Sequence, residues 1–333
     1  MSEKVIDKTV EVQNFDSDIK SKSARNIKAI LLKNDTVIAL VGICLILSLS
    51  SDYFLTFSNF TNVLQQVSLI GIIAVGMTFV ICSAEIDLSV GSVVALTGSL
   101  VGVLSSTYNV PIFLSVIIGL LAGLLVGFLM GTLSIKLIIP SFIVTLASMM
   151  SVRGIAFLVT GGYPAPINSD FLQLIGQGKT LGIPNSSILF FLVVLIGYHF
   201  LERSRFGRYV LAVGGNKESA KVSGIPVTKI RLTVFSISGL LAGLSGVLLA
   251  GQFGSGSPNA GNMYELDAIA AVVLGGANLY GGKGRIIGTV MGVLIIGVIN
   301  NGLNLLNVSP YYQMVVKGLV ILMALGLNKF KQN

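Results

Sequence analysis

The chain has 333 residues, of which 53% are hydrophobic and 11% charged, with a mean hydropathy of +0.88 and a formal charge of +8. An ordinary soluble domain carries about 25% charged residues, so this composition excludes one. The positive charge does not point to nucleic acid, because the basic residues cluster beside apolar runs, where positive-inside topology accounts for them.

Residues 1–35 mix seven basic with six acidic side chains and show little periodicity, which predicts a polar cytoplasmic tail with 27–33 lying along the membrane surface. The first apolar run starts near Thr36, behind a head longer than the charged region of a signal peptide, so no cleavable signal is expected. Each crossing needs about 20 apolar residues. Candidate spans lie near 36–52, 66–84, 88–107, 110–134, 139–160, 186–202, 230–251, 266–280, 284–306 and 311–328. They predict an all-α polytopic membrane protein of about ten transmembrane helices, with a membrane domain over 36–328 and a short cytoplasmic tail at 329–333. The segment 266–280 is short, so a re-entrant or broken helix competes there with a full pass.

No Lys or Arg occurs in the 102 residues from Asn34 to Ile135. With the N-terminus inside, an even number of passes puts Lys136, the loop 203–229, Lys283 and Arg285, and Lys329 and Lys331 on the cytoplasmic side. Both termini are then cytoplasmic. The longest outside loops are 161–185, with Pro164, Pro166 and Pro184, and 252–265. Glu85-Ile86-Asp87 follows the second span and Glu265-Leu266-Asp267 the seventh, as an inverted 5+5 repeat would require.

Gly119, Gly123, Gly127 and Gly131 recur every four residues and form a smooth strip on one helix face. Gly98/Gly102, Gly239/Gly243 and Gly288/Gly292 repeat the device. The strips serve either tight packing within one subunit or surfaces that slide when a pore opens. Arg153, Lys317, Glu265 and Asp267 all fall in the outer half of the predicted membrane domain. Charges there are costly, so an ion pair between one of these acids and one of these bases is expected; snorkelling to the interface and contact with substrate are the alternatives. Glu85 and Asp87 are further candidates for buried charge. Asn300, Asn304 and Asn307 share a helix face at i, i+4 and i+7; their amides suit a translocation path or hydrogen bonds between helices.

From Glu202 to Arg231 seven basic side chains stand against two acids, so this loop stays out of hydrocarbon. Its helix formers run into Gly224-Ile225-Pro226, which predicts a short helix with a defined stop. Such a loop is either a charged connector or a docking surface for a soluble partner. Glu218-Ser219-Ala220-Lys221-Val222-Ser223-Gly224 resembles the Glu-Ala-Ala-x-x-x-Gly signature of ABC-importer permeases, with Ser219 where the signature has Ala. Four further stretches are similar to the permease subunit of ribose-type sugar importers: Glu85 to Ser92, Tyr264 to Gly276, Gly281 to Arg285 and Tyr311 to Met314. The likeness runs from about residue 35 to the C-terminus.

This resemblance implies that Asn216, Glu218, Ser219, Ala220, Gly224, Ile225 and Pro226 form a cytoplasmic coupling helix that fits a groove on an ATPase subunit. It implies that ATP-Mg is bound by that partner and no cofactor by this chain. An extracytoplasmic sugar-binding protein would deliver ribose or a similar monosaccharide. Because ABC ATPases work as paired domains, two copies of this chain would form the pore, among the lipids of a bacterial cytoplasmic (inner) membrane.

Two motifs mislead. In Gly276-Ala277-Asn278-Leu279-Tyr280-Gly281-Gly282-Lys283, Gly282 intervenes where a phosphate loop has Lys. Gly282-Lys283-Gly284 likewise lacks the spacing of a dinucleotide fingerprint. Cys44 and Cys82 lie in apolar runs and His199 is the single histidine, too few ligands for a zinc site of the usual spacing. No catalytic residue or metal site is expected. The rival functions are an ion-coupled secondary transporter of a small polar solute, which would need coupling residues at the membrane midplane, and a membrane-embedded enzyme.

Overall fold

The computed structural model describes residues 35–330; the polar N-terminal tail and residues 331–333 lie outside the described residues. Each apolar segment named above contains a helix. The first half runs through α1 (Asp35–Ser50), α2 (Phe57–Cys82), α3 (Val90–Ser106), α4 (Ile112–Lys136) and α5 (Ser141–Thr160). An irregular stretch follows, with β1 (Ala165–Pro166), α6 (Asp170–Gly176), β2 (Lys179–Thr180) and β3 (Ile183–Pro184). Next come α7 (Asn185–Tyr198), a π-turn (His199–Arg203), α8 (Arg205–Gly215) and α9 (Lys217–Val222). The second half contains α10 (Val227–Phe253), β4 (Ser255–Gly256), α11 (Tyr264–Leu274), α12 (Ile286–Leu305) and α13 (Pro310–Phe330).

Among the described residues, six helices are long and apolar enough to cross a membrane: α2, α4, α5, α7 with its π-turn, α10 and α12. Two shorter apolar helices, α1 and α3, accompany them. α2 begins well before the expected residue 66, because Thr56 starts it: its Oγ1 accepts the Asn59 amide at 3.2 Å. This helix is the hub of the molecule, packed by α7, α10, α11 and α12, with most of its length buried. α4 is its opposite. Phe113, Leu121, Leu125, Phe128 and Leu133 are exposed, an apolar face that suits lipid and not water.

The glycine strip does what its spacing predicts. Gly119, Gly123, Gly127 and Gly131 are buried, and α4 makes its most extensive contact with α10. A Cβ at Gly127 would fall on the Phe235 carbonyl oxygen, and one at Gly239 on the Gly123 carbonyl oxygen. The two backbones therefore touch, an approach open only to glycine, and this strip packs within the subunit.

Two helical runs are interrupted. After α2 the chain leaves helix through Ser83–Ser89, with Ala84 at φ 60°, before α3 starts. After α10 it does so through residues 254–263, with Met263 at φ 67°, before α11 starts. α11 has eleven residues, about 16 Å at 1.5 Å per residue against a hydrocarbon thickness of about 30 Å. A full crossing by one helix over 266–280 is therefore not formed; its length fits the re-entrant or broken alternative. The two interruptions meet, since Gly91 in the first turn of α3 lies against the Gly261 carbonyl and the Glu265 carboxylate. The two longest loops expected outside are also joined, as β1 pairs with β4 in the register Ala165↔Gly256 and Pro166↔Ser255.

Candidate functional site

The basic loop folds into two helices where one was expected. Phe206, Val210 and Val213, at i, i+4 and i+7, turn inward from α8, while Arg205, Arg208 and Tyr209 are exposed. α9 follows with caps at both ends. Asn216 Oδ1 accepts the Ser219 amide at 2.9 Å, the usual N-cap bond. At the other end the Gly224 amide donates to the Lys221 carbonyl and the Ile225 amide to the Ala220 carbonyl, each at 3.0 Å. This is a Schellman stop, and Gly224 takes the left-handed conformation it needs, at φ 78°. Ala220 is buried beneath the helix. Glu218, Ser219, Lys221, Gly224 and Pro226 are exposed, as is Val222 at 88%, an apolar knob that the sequence analysis missed.

Behind α9 lies Glu85, 3% exposed. Its Oε1 accepts Lys217 Nζ at 2.8 Å and has Arg231 Nε at 2.7 Å. The arginine contact lacks hydrogen-bond alignment and acts as charge against charge. Arg231 also donates from Nη2 to Ser134 Oγ at 3.1 Å. Asp87 is 1% exposed: Oδ1 accepts the Ser89 amide at 3.0 Å and the Ser89 hydroxyl at 2.6 Å, and Oδ2 accepts the Ser238 hydroxyl at 2.8 Å. A cavity of about 490 Å³ opens beside this cluster, lined by Glu85, Lys217, Arg231, Ser134, Ile138 and Ser141 among others. One further carboxylate was missed: Glu202 Oε1 accepts the Ile286 amide at 3.0 Å, which ties the π-turn to the start of α12.

The second acidic pair sits where α11 begins. Lys317 Nζ lies 2.8 Å from Asp267 Oδ2, an ion pair of the kind expected for these charges. Arg153 donates no hydrogen bond to a carboxylate among the described residues; its Nη1 donates to the carbonyls of Pro258 and Ala260, and its charge faces Glu265. Glu265 is 7% exposed and its Oε2 has no hydrogen-bond partner among the described residues. The asparagines separate. Asn300 stands beside Asp267, and its own Oδ1 has no hydrogen-bond partner among the described residues. Asn304 Oδ1 accepts Gln313 Nε2 at 2.9 Å. Asn307 falls beyond the end of α12 at φ 52°, off the helical face that the spacing drew. The unremarked neighbour Asn301 makes the inter-helix bonds, exchanging amide contacts with Asn59 at 3.0 and 2.7 Å.

The glycine-rich stretch that mimics a phosphate loop is a packing turn. Gly281 and Gly282 have positive φ, and the Gly282 amide donates to the Cys82 carbonyl at 3.0 Å.

Residues 59–325 match a family described as branched-chain amino acid transport system, permease component. The chain is 44% identical to ribose import permease protein RbsC of Escherichia coli K12, over 92% of this chain and 96% of that one. It is 46% identical to the protein of the same name in Bacillus subtilis 168, over 91% and 94%. With the xylose transport system permease protein XylH of Escherichia coli K12 it shares 34% identity, over 88% and 90%. No solved structure matches it.

Proposed function

Because the chain belongs to the ribose-type permeases of ATP-binding-cassette importers, we propose that it is the membrane subunit through which ribose or a similar monosaccharide enters the cytoplasm. It is a non-catalytic, multi-pass transport subunit of the inner membrane. The observation that carries the mechanism is α9, a six-residue helix capped at both ends and exposed along Glu218, Ser219 and Val222. A helix this short is marginal in water by itself. Its caps hold it in shape before any partner arrives, as a docking element requires.

In this reading a cytoplasmic ATPase seats on Asn216, Glu218, Ser219, Gly224, Ile225 and Pro226, with Ala220 anchoring the helix from beneath, and ATP-Mg binds to that partner. Paired ATPase domains call for two copies of this chain, lipid surrounds the apolar faces, and a sugar-binding protein docks outside. Both termini are cytoplasmic. The halves form an inverted repeat, supported by the two Glu-x-Asp interruptions after α2 and α10, each with a positive-φ residue before its short helix. Asn300 and Asn304 offer amides to passing hydroxyls, with Asn307 at the mouth of the path.

The test is Gly224→Val. A Cβ at this position meets nothing within 4 Å, so the substitution costs conformation and not space. A left-handed β-branched residue is disfavoured by about 1–2 kcal/mol, enough to unwind the Schellman stop without unfolding the membrane helices. Normal insertion is expected, with the ATPase lost from pull-downs and radiolabelled ribose uptake reduced by about tenfold or more. Wild-type uptake with the ATPase bound would reduce residues 216–226 to a connector.

A further inference from the structure

We infer that Glu85 is the positioning residue that carries a movement of α9 into the interrupted start of α3, an inference that rests on α9 being the ATPase-docking element. Lys217 is the first residue of α9, and its ammonium ends on Glu85 at 2.8 Å. Two residues further on, Asp87 holds Ser238 of α10 and the amide and hydroxyl of Ser89, the residue that precedes α3. Arg231 and Ser238 are seven residues apart, so they share a face of α10 about 10.5 Å along its axis. Extended backbone from Glu85 to Asp87 covers about 7 Å of that distance. The segment is thus fastened to α10 at both ends.

It is also fastened sideways. The Ile86 amide donates to Ser141 Oγ, and the Ile86 carbonyl accepts Thr145 Oγ1, each at 3.2 Å. Both partners belong to α5. This three-residue segment is held by both acidic side chains and by the amide and carbonyl of Ile86, so a displacement of Lys217 is passed to α3, α5 and α10 together. The adjoining cavity of about 490 Å³ gives it somewhere to go. One carboxylate faces two cations, so the buried acid stays neutralised while Lys217 moves.

The test uses the complete complex of this chain, its ATPase and its sugar-binding protein in nanodiscs, with ATP hydrolysis read with and without ribose-loaded binding protein. Glu85→Gln is expected to keep the ATPase through purification, yet to lower the stimulated-to-basal ratio by about fivefold or more. Glu85→Asp keeps a carboxylate between the two cations and is expected to hold a higher ratio than Glu85→Gln. If Glu85→Gln does not assemble, Lys217→Gln carries the same expectation, since Arg231 still neutralises the acid. A ratio within about twofold of the unmutated complex, in whichever variant assembles, overturns the inference and leaves the docking reading standing. Normal insertion with no assembly of either variant makes the cluster purely structural and overturns it too. An unmutated complex that does not hold the ATPase overturns the docking reading itself.

Discussion

Glu85-Ile86-Asp87 and Glu265-Leu266-Asp267 are nearly the same tripeptide, each set at a break before a short helix, yet the chain treats them differently. Both acids of the first are engaged, Glu85 by two cations and Asp87 by two serines. In the second, Asp267 has Lys317, but Glu265 Oε2 and the nearby Asn300 Oδ1 have no hydrogen-bond partner among the described residues. A saturated cluster is rigid and transmits force. An unsaturated one keeps acceptor capacity that a rearranged chain or a passing hydroxyl can use, at a cost while it waits.

Four substitutions break or sharpen this contrast. The largest effect is expected for Lys317→Ala, which leaves Asp267 buried and unpaired and lowers stability by about 3 kcal/mol. The thermal midpoint in detergent should fall accordingly, and Asp267→Asn with Lys317→Gln should recover part of it. Lys217→Ala at the first cluster should cost less than about 1 kcal/mol by the same measurement, because Arg231 remains. Equal losses at the two lysines would erase the distinction. Next comes Asp87→Ala, which strips an acceptor from one amide and two hydroxyls and should cost about 2 kcal/mol, read from the same melting curves. Smallest is Glu265→Gln, expected to change stability by less than about 1 kcal/mol, since Oε2 has no hydrogen bond to lose and the attraction to Arg153 is offset by no longer burying a charge. A Glu265→Gln protein as unstable as Asp87→Ala would mean that Oε2 is engaged after all.

What could be read from the chain beforehand follows from how local each signal is. Apolar length located the helices, and the Gly224-Ile225-Pro226 stop located α9, because caps are built from residues within one turn. The glycine strip's period marked a face of close approach, but neither the choice between fixed packing and sliding nor its partner face on α10 could be read. α8 escaped because its basic side chains outweigh the short apolar stripe of Phe206, Val210 and Val213. Adjacent asparagines point about 100° apart on a helix, so Asn300 and Asn301 carry the same chemistry to different neighbours, and composition does not choose between them. Lys217 lies 132 residues from Glu85, and only the folded chain brings them together. Which of the two bases would pair with an acid could not be read, and the carbonyls that Arg153 meets leave no mark in the alphabet of side chains.

The seam between α4 and α10 has a consequence for how the protein is made. During synthesis α4 enters the bilayer long before the ribosome has reached Val227, so the groove at Gly123, Gly127 and Gly131 waits without the helix that fills it. Lipid tails fill such a groove poorly, which leaves the half-made chain exposed to membrane proteases and dependent on whatever shelters nascent helices. A fragment ending before α10 should therefore be short-lived when made alone and rescued when residues from 227 onward are supplied as a second polypeptide.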